Sequence, residues 1–198
     1  LEVWAFQICT LLAGRLGEDA LAAHTITLNI ASLTFMVPLG ISLAAVTRVG
    51  NLIGARDLQG ASRSAWVALG MGAAVMTLSA LLIALSRHLL PALYTSDPAV
   101  AALAAGILPI AAAFQLFDGI QVTGGGVLRG MGRTRPAALF NLVGYYGVAL
   151  PLAWWWGLGT SMHLRGIWWG LAAGLALVAL ALVAWIARRG PARAAPVV

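Results

Sequence analysis

Residues 166–187 run for 22 positions without a charge. Residues 136–156 and 65–85 do the same over 21 positions each. A helix needs about 20 mostly apolar residues to cross roughly 30 Å of hydrocarbon. Two further stretches are longer. Residues 21–47 hold only His24 as an ionisable group, and residues 99–128 only the acid Asp118. Charged residues make up 9% of the chain and mean hydropathy is +0.92, which excludes both a soluble globular domain and a disordered tail. The sequence therefore predicts an all-α integral membrane protein.

The beginning of the chain differs from these five stretches. Fourteen residues precede Arg15, and as a helix they reach only about 21 Å. No basic n-region or cleavage motif marks a signal peptide. The expectation is a sixth helix whose start is missing, in a fragment of a longer protein. The predicted spans are about 1–16, 21–47, 65–85, 99–128, 136–156 and 166–187. Together they form one lobe over 1–187, with 188–198 as a cytoplasmic tail.

All 12 basic residues are arginines, against six acids. In a soluble domain that balance would suggest nucleic acid, but here the arginines sort by topology. Arg48, Arg56, Arg63, Arg129, Arg133, Arg135, Arg188, Arg189 and Arg193 fall on one side of the expected bundle, and Arg15, Arg87 and Arg165 on the other. Nine against three places the tail and the two Arg-rich loops in the cytoplasm of a plasma (inner) membrane protein. Nucleic acid is thereby not an expected partner. Cys9 is the single cysteine, which removes intrachain disulfides and cysteine-based metal sites.

Trp154, Trp155 and Trp156 end one span, and Trp168 and Trp169 begin the next. They are expected as an interfacial belt around the outer loop. Asp97-Pro98 is expected to cap the fourth span, and Pro38, Pro109 and Pro151 to kink the spans that hold them. His24 has no second histidine at ligand spacing and reads as an interfacial or hydrogen-bonded residue. Gly124-Gly125-Gly126 lacks the Lys-Ser/Thr of a phosphate loop, and reads instead as a place for close helix packing.

Two carboxylates sit where hydrocarbon should be: Glu2 in the truncated first helix and Asp118 in the fourth span. Each costs about 3 kcal/mol or more at mid-membrane unless it faces a cavity or a partner. No Lys is present and every Arg falls at or near a span end, so an acid here is equipped to take up and release a proton or to hold a cation. The plainer reading is a protonated carboxyl making one structural hydrogen bond. Gln115 and Gln121 stand three residues to either side of Asp118, and Phe114 lies four before it. Glu2, Phe6 and Cys9 share a face by the same spacing. An acid beside an aromatic suits an organic cation, while lipid contact or helix packing is the plainer role for Phe6 and Phe114. Asn141 and Tyr145, four apart, are candidates for lining a cavity or for interhelical hydrogen bonding.

These residues also resemble a known family. Glu2-Val3-Trp4-Ala5-Phe6 through Leu16-Gly17, Leu21-Ala22-Ala23-His24 and Leu28-Asn29 are similar to the MATE family, the multidrug and toxic compound extrusion transporters, and to its NorM-like branch. Phe35-Met36-Val37-Pro38-Leu39-Gly40, Arg48-Val49-Gly50-Asn51 with Gly54-Ala55, Phe114-Gln115-Leu116-Phe117-Asp118 and the run 124–130 continue the resemblance in the same order. It implies that the chain is the C-terminal six-helix lobe of a twelve-helix transporter whose N-terminal lobe is its missing partner. It also implies that Glu2 and Asp118 match family acids that bind cations or protons. Some members carry a tyrosine where this chain has Phe114 or Phe35, so this site has one hydroxyl ligand fewer for a sodium ion at Glu2 or Asp118. No cofactor and no other metal is implied.

The expected function is export of organic cations or amphipathic drugs in exchange for H⁺ or Na⁺, without enzymatic activity. A flippase for a lipid-linked oligosaccharide, from a related two-lobed family, would need arginines in the cavity to hold a pyrophosphate, and the spans are nearly free of Arg. An intramembrane aspartyl protease also needs two acids within helices, but Asp118 lies in Phe-Asp-Gly-Ile rather than a Gly-x-Gly-Asp setting. A membrane scaffold would need neither acid.

Overall fold

The computed structural model describes residues 2–193. They form α1 (Glu2–Gly14), α2 (Glu18–Gly54), α3 (Leu58–Leu85), a short α4 (Leu89–Ala92), α5 (Pro98–Gly130), α6 (Thr134–Asn141), α7 (Leu150–Leu158) and α8 (Leu164–Arg189). A π-helical segment, Leu142–Ala149, joins α6 to α7 without a break, and a 3₁₀ turn, Pro191–Arg193, follows α8. Residues 194–198 of the expected tail lie outside the described residues. Five helical stretches, with α6 to α7 counted as one, are long and apolar enough to cross a membrane, and α1 is a shorter apolar helix.

The long helices outrun hydrocarbon. At 37 residues, α2 would extend about 55 Å, so its ends stand clear of the apolar layer. Glu18 and Asp19 in its first turn complement the positive end of the helix dipole, and Arg48 and Asn51 continue it at the other end. Helix starts follow local chemistry. The Asp57 carboxylate accepts from the Gly60 amide at 2.8 Å, and that of Asp97 from the Ala99 amide at 2.8 Å. Pro98 occupies the first turn of α5, where its missing N–H costs nothing.

Helix α5 is the axis of the lobe. It is the most buried helix and packs against α2, α3 and α8. Small residues make this possible: a Cβ added at Gly126 would lie 2.6 Å from the Ser42 carbonyl oxygen of α2. Between α8 and the π-helical segment, a Cβ added at Gly174 would lie 2.5 Å from the Gly144 carbonyl oxygen. In lipid, where no hydrophobic force drives helices together, such close approach supplies the packing.

The prolines behave unequally. Helix continues through Pro38 and Pro109. Ahead of Pro151 the backbone becomes π-helical for eight residues, which widens the turn where the proline ring would meet the carbonyl four residues before it.

Apolar packing falls into two clusters. One gathers α1, the first part of α2, α5 up to Phe114, and Trp168 and Leu171 of α8. The other gathers Ala45 and Val49, the first half of α3, Val127 and Leu128, and Val178 to Ile186. Gln115, Asp118, Gln121 and Thr123 are buried in the stretch of α5 between them. Polar groups thus occupy the middle of a helix whose ends are sealed by apolar side chains.

Candidate functional site

Asp118 lies at the middle of α5, only 5% exposed, and its Oδ1 has no hydrogen-bond partner. Glu2, in the first turn of α1, faces it closely enough for their charges to interact. Both acids line one cleft of about 370 Å³, together with Phe6, Gln7, Ser32, Phe35 and Phe114. No arginine lines it, and among the described residues neither acid has a basic partner at salt-bridge distance.

The neighbouring polar groups are held by single contacts that leave other atoms free. The Thr34 hydroxyl donates to Gln115 Oε1 at 2.9 Å, while Gln115 Nε2 is unpartnered. Gln121 Nε2 donates to Asn141 Oδ1 at 3.2 Å, while Gln121 Oε1 is unpartnered. Tyr145 is fully buried. The Glu2 carboxylate is in reach of its hydroxyl and of the Gln121 amide, although the hydroxyl closes no hydrogen bond of full geometry. Buried polar atoms are almost always satisfied; the exceptions on Gln115, Asp118, Gln121 and Tyr145 gather around the two carboxylates.

An aromatic wall backs the acids. Phe6 meets Phe114 edge-on at 5.9 Å and Tyr145 at 6.2 Å, and Phe114 meets Trp168 at 6.0 Å. Trp168 in turn lies 5.6 Å from the His24 ring. Such edge-to-face contacts fix ring orientation, and ring faces that border a desolvated cleft attract cations.

Of the eight residues singled out from the sequence, Glu2, Asp118, Phe6 and Phe114 line the cleft itself. Gln115, Gln121, Asn141 and Tyr145 surround it as the hydrogen-bonding shell described above. Asn141 ends α6 and Tyr145 lies within the π segment that follows it. Gln7, Ser32 and Thr34 carry no signal of this role in the sequence, and Phe35 enters only through the family resemblance. Trp168 corrects the interfacial reading: Trp154, Trp155 and Trp169 are exposed, but Trp168 is fully buried behind Phe114. The neighbour of Trp168 is His24, equally buried, whose Nε2 pairs with the Thr10 hydroxyl at 3.2 Å. A larger depression of about 750 Å³ opens at the loop end of the bundle beside Glu18, Asp19, His163 and Arg165. None of its side chains holds an unpartnered buried atom.

The fold and the site define a class: an all-helical membrane lobe that holds two carboxylates in an aromatic-lined cleft. The MatE family profile matches residues 1–155, and the chain belongs to that family. It is 48% identical over 190 residues to a protein named multidrug resistance protein NorM from Burkholderia vietnamiensis, covering 93% of this chain and 41% of that protein. It is 45% identical to a probable multidrug resistance protein NorM from Burkholderia pseudomallei, covering 93% and 40% respectively. The structure superposes on the crystal structure of a eukaryotic MATE transporter with a TM-score of 0.87 at 26% identity, over 97% of this chain and 45% of that one. The chain thus spans about two-fifths of the length of the curated relatives it matches.

Proposed function

We propose that this chain is the C-terminal lobe of a multidrug efflux antiporter that exports organic cations or amphipathic drugs in exchange for H⁺ or Na⁺. The observation that carries the reading is that Glu2 and Asp118 share one aromatic-lined cleft with no arginine in its lining and, among the described residues, no basic partner at salt-bridge distance. Unpaired acids persist in a membrane when they face a cavity and bind what passes through it. A carboxylate in low dielectric holds either a coupling ion or a cationic drug favourably, but not both at once. Loading of one therefore releases the other.

Each component has a role in that exchange. Asp118 and Glu2 supply the charge. Phe6, Phe114 and Phe35 supply apolar and π surface for a drug. Gln115, Gln121, Asn141 and Tyr145 supply dipoles that orient the carboxylates and complete the shell of an ion. Unpartnered oxygens on Asp118 and Gln121 also suit Na⁺, a hard cation that prefers oxygen ligands. One charge moving inward through 100 mV supplies about 2.3 kcal/mol, sufficient for cyclic exchange.

The lobe works against a second, N-terminal lobe of the same transporter in the plasma membrane. Rocking of the two lobes exposes the cleft to either side in turn. The excess of arginines at the α2–α3 and α5–α6 turns and the end of α8 supports a cytoplasmic position for that end of the lobe. A cleft free of arginine does not suit a pyrophosphate-linked sugar, so the flippase alternative gains no support.

Dye efflux from vesicles containing the complete polypeptide, with pH and Na⁺ gradients imposed separately, tests the proposal. Efflux should follow one or both gradients. Efflux that needs neither gradient, or that needs ATP, overturns it.

A further inference from the structure

At the opposite end of the bundle from the α7–α8 loop lies a second kind of cleft, about 460 Å³ in volume. It is lined by Met131, Arg133, Pro136, Trp185, Arg188, Arg189 and Arg193. Four of these are arginines, drawn from two separate places: the turn after α5, and the last turn of α8 with the 3₁₀ turn beyond it. No acid lines the cleft. Like charges at this density repel, and nothing among the described residues neutralises them.

The arrangement is held in place by backbone. The Arg133 amide bonds the Leu128 carbonyl at 2.8 Å, which closes the turn at the end of α5. Arg193 Nη1 donates to the Arg188 carbonyl at 2.8 Å, which ties the 3₁₀ turn to the end of α8. Arg133, Arg188 and Arg189 make no side-chain hydrogen bond or ion pair with any described residue. Their guanidinium donors remain open to an anion, and the planar guanidinium fork matches phosphate oxygens in pairs.

The apolar lining decides the kind of anion. Met131, Pro136 and the half-buried Trp185 form one wall, and an indole at a helix end prefers the headgroup layer. Guanidinium N–H donors on one side and apolar surface on the other match the phosphate headgroup and upper acyl chain of a lipid rather than a free ion. We infer that this cleft binds the phosphate of an anionic phospholipid in the cytoplasmic leaflet. The inference rests on the proposed orientation of the lobe but not on drug transport, and basic pockets at cytoplasmic helix ends bind such headgroups through the same chemistry.

Native mass spectrometry of the complete polypeptide, delipidated and supplied with equimolar phosphatidylglycerol and phosphatidylcholine, tests it. The wild type should retain phosphatidylglycerol with about tenfold or greater preference. Arg133→Gln/Arg188→Gln/Arg193→Gln should lose most of that preference. Arg48→Gln/Arg56→Gln/Arg63→Gln, which removes equal charge from the same end, should keep it. Equal loss in both triple variants, or no preference in the wild type, overturns the proposal.

A photoactivatable phosphatidylglycerol serves if the variants misfold. Crosslinks in the wild type should concentrate on peptides covering 131–136 and 185–193, and an even spread over the lipid-facing helices overturns the site. Inorganic phosphate at millimolar concentration should leave lipid retention intact. Full displacement by phosphate would mean that the cleft binds a free anion and not a lipid. Cysteine labelling of Thr134→Cys only from outside would overturn the orientation alone, and would leave a lipid site in the other leaflet.

Discussion

Asp118 combines three properties that rarely coexist: 5% exposure, an unpartnered carboxylate oxygen, and a position on the wall of a cleft. Asp118→Asn keeps the volume and removes the charge. It should abolish gradient-driven efflux while leaving membrane insertion and expression unchanged, and Glu2→Gln should behave similarly. Wild-type efflux at equal expression in either variant would contradict the assignment. Phe114→Leu should preserve coupling-ion binding but weaken organic-cation affinity by about fivefold, the scale of one partly desolvated cation–π contact, as measured by dye binding at equilibrium. The acids were legible in the sequence because charge in hydrocarbon is expensive wherever the helix points. Ser32 was not legible as a site residue, because one small polar residue on a lipid-length helix carries no energetic signature of direction, and Phe35 was legible only through the family resemblance. Trp168 was misread for the same reason: a tryptophan at a span start looks alike whether its ring meets headgroups or backs Phe114.

At the scale of the element, α5 carries the polar layer and also the closest helix contacts. Gly126→Val would force branched methyl groups against the Ser42 backbone and should destabilise the lobe by about 1–3 kcal/mol. Thermal unfolding in detergent should show the loss, and an unchanged melting temperature would mean that α2 and α5 can separate freely. The π segment before Pro151 sets where Tyr145 points, because one widened turn rotates everything on one side of it by about 100° relative to a regular helix. Pro151→Ala removes the reason for widening. It should lower dye affinity while leaving insertion intact, and full affinity would show that Tyr145 does not depend on the π turn. Helix existence was legible from uncharged length alone. The π segment was not: the proline announces a disturbance in the ladder, but neighbouring packing decides whether the chain bends, widens or runs on.

At the scale of the molecule, the alternation of helices assigns both ends of the bundle. Cysteines at Gln59 and Thr134, both exposed, should react with impermeant reagents only from the cytoplasmic side, and one at Ser161 only from outside. Background from this lobe is low because Cys9 is its single cysteine and is buried. Labelling of all three from one side would break the topology. The cleft carries Glu2, Gln7 and Ser32 on an open face, and alternating access needs a second bundle to close against it. The 198-residue chain reconstituted by itself should therefore give no gradient-driven dye movement. Counterflow by the pure chain, abolished by Asp118→Asn, would show that two copies of this lobe suffice.

The central claim is that one pair of carboxylates serves drug and coupling ion in turn. Ion release on drug binding tests it most directly. The complete polypeptide in weakly buffered detergent solution, loaded with protons or with radiolabelled Na⁺, should release the bound ion when a saturating organic cation is added. Release should disappear in Glu2→Gln/Asp118→Asn. Undiminished release in the double variant, or tight drug binding with the ion still held in the wild type, would contradict the account.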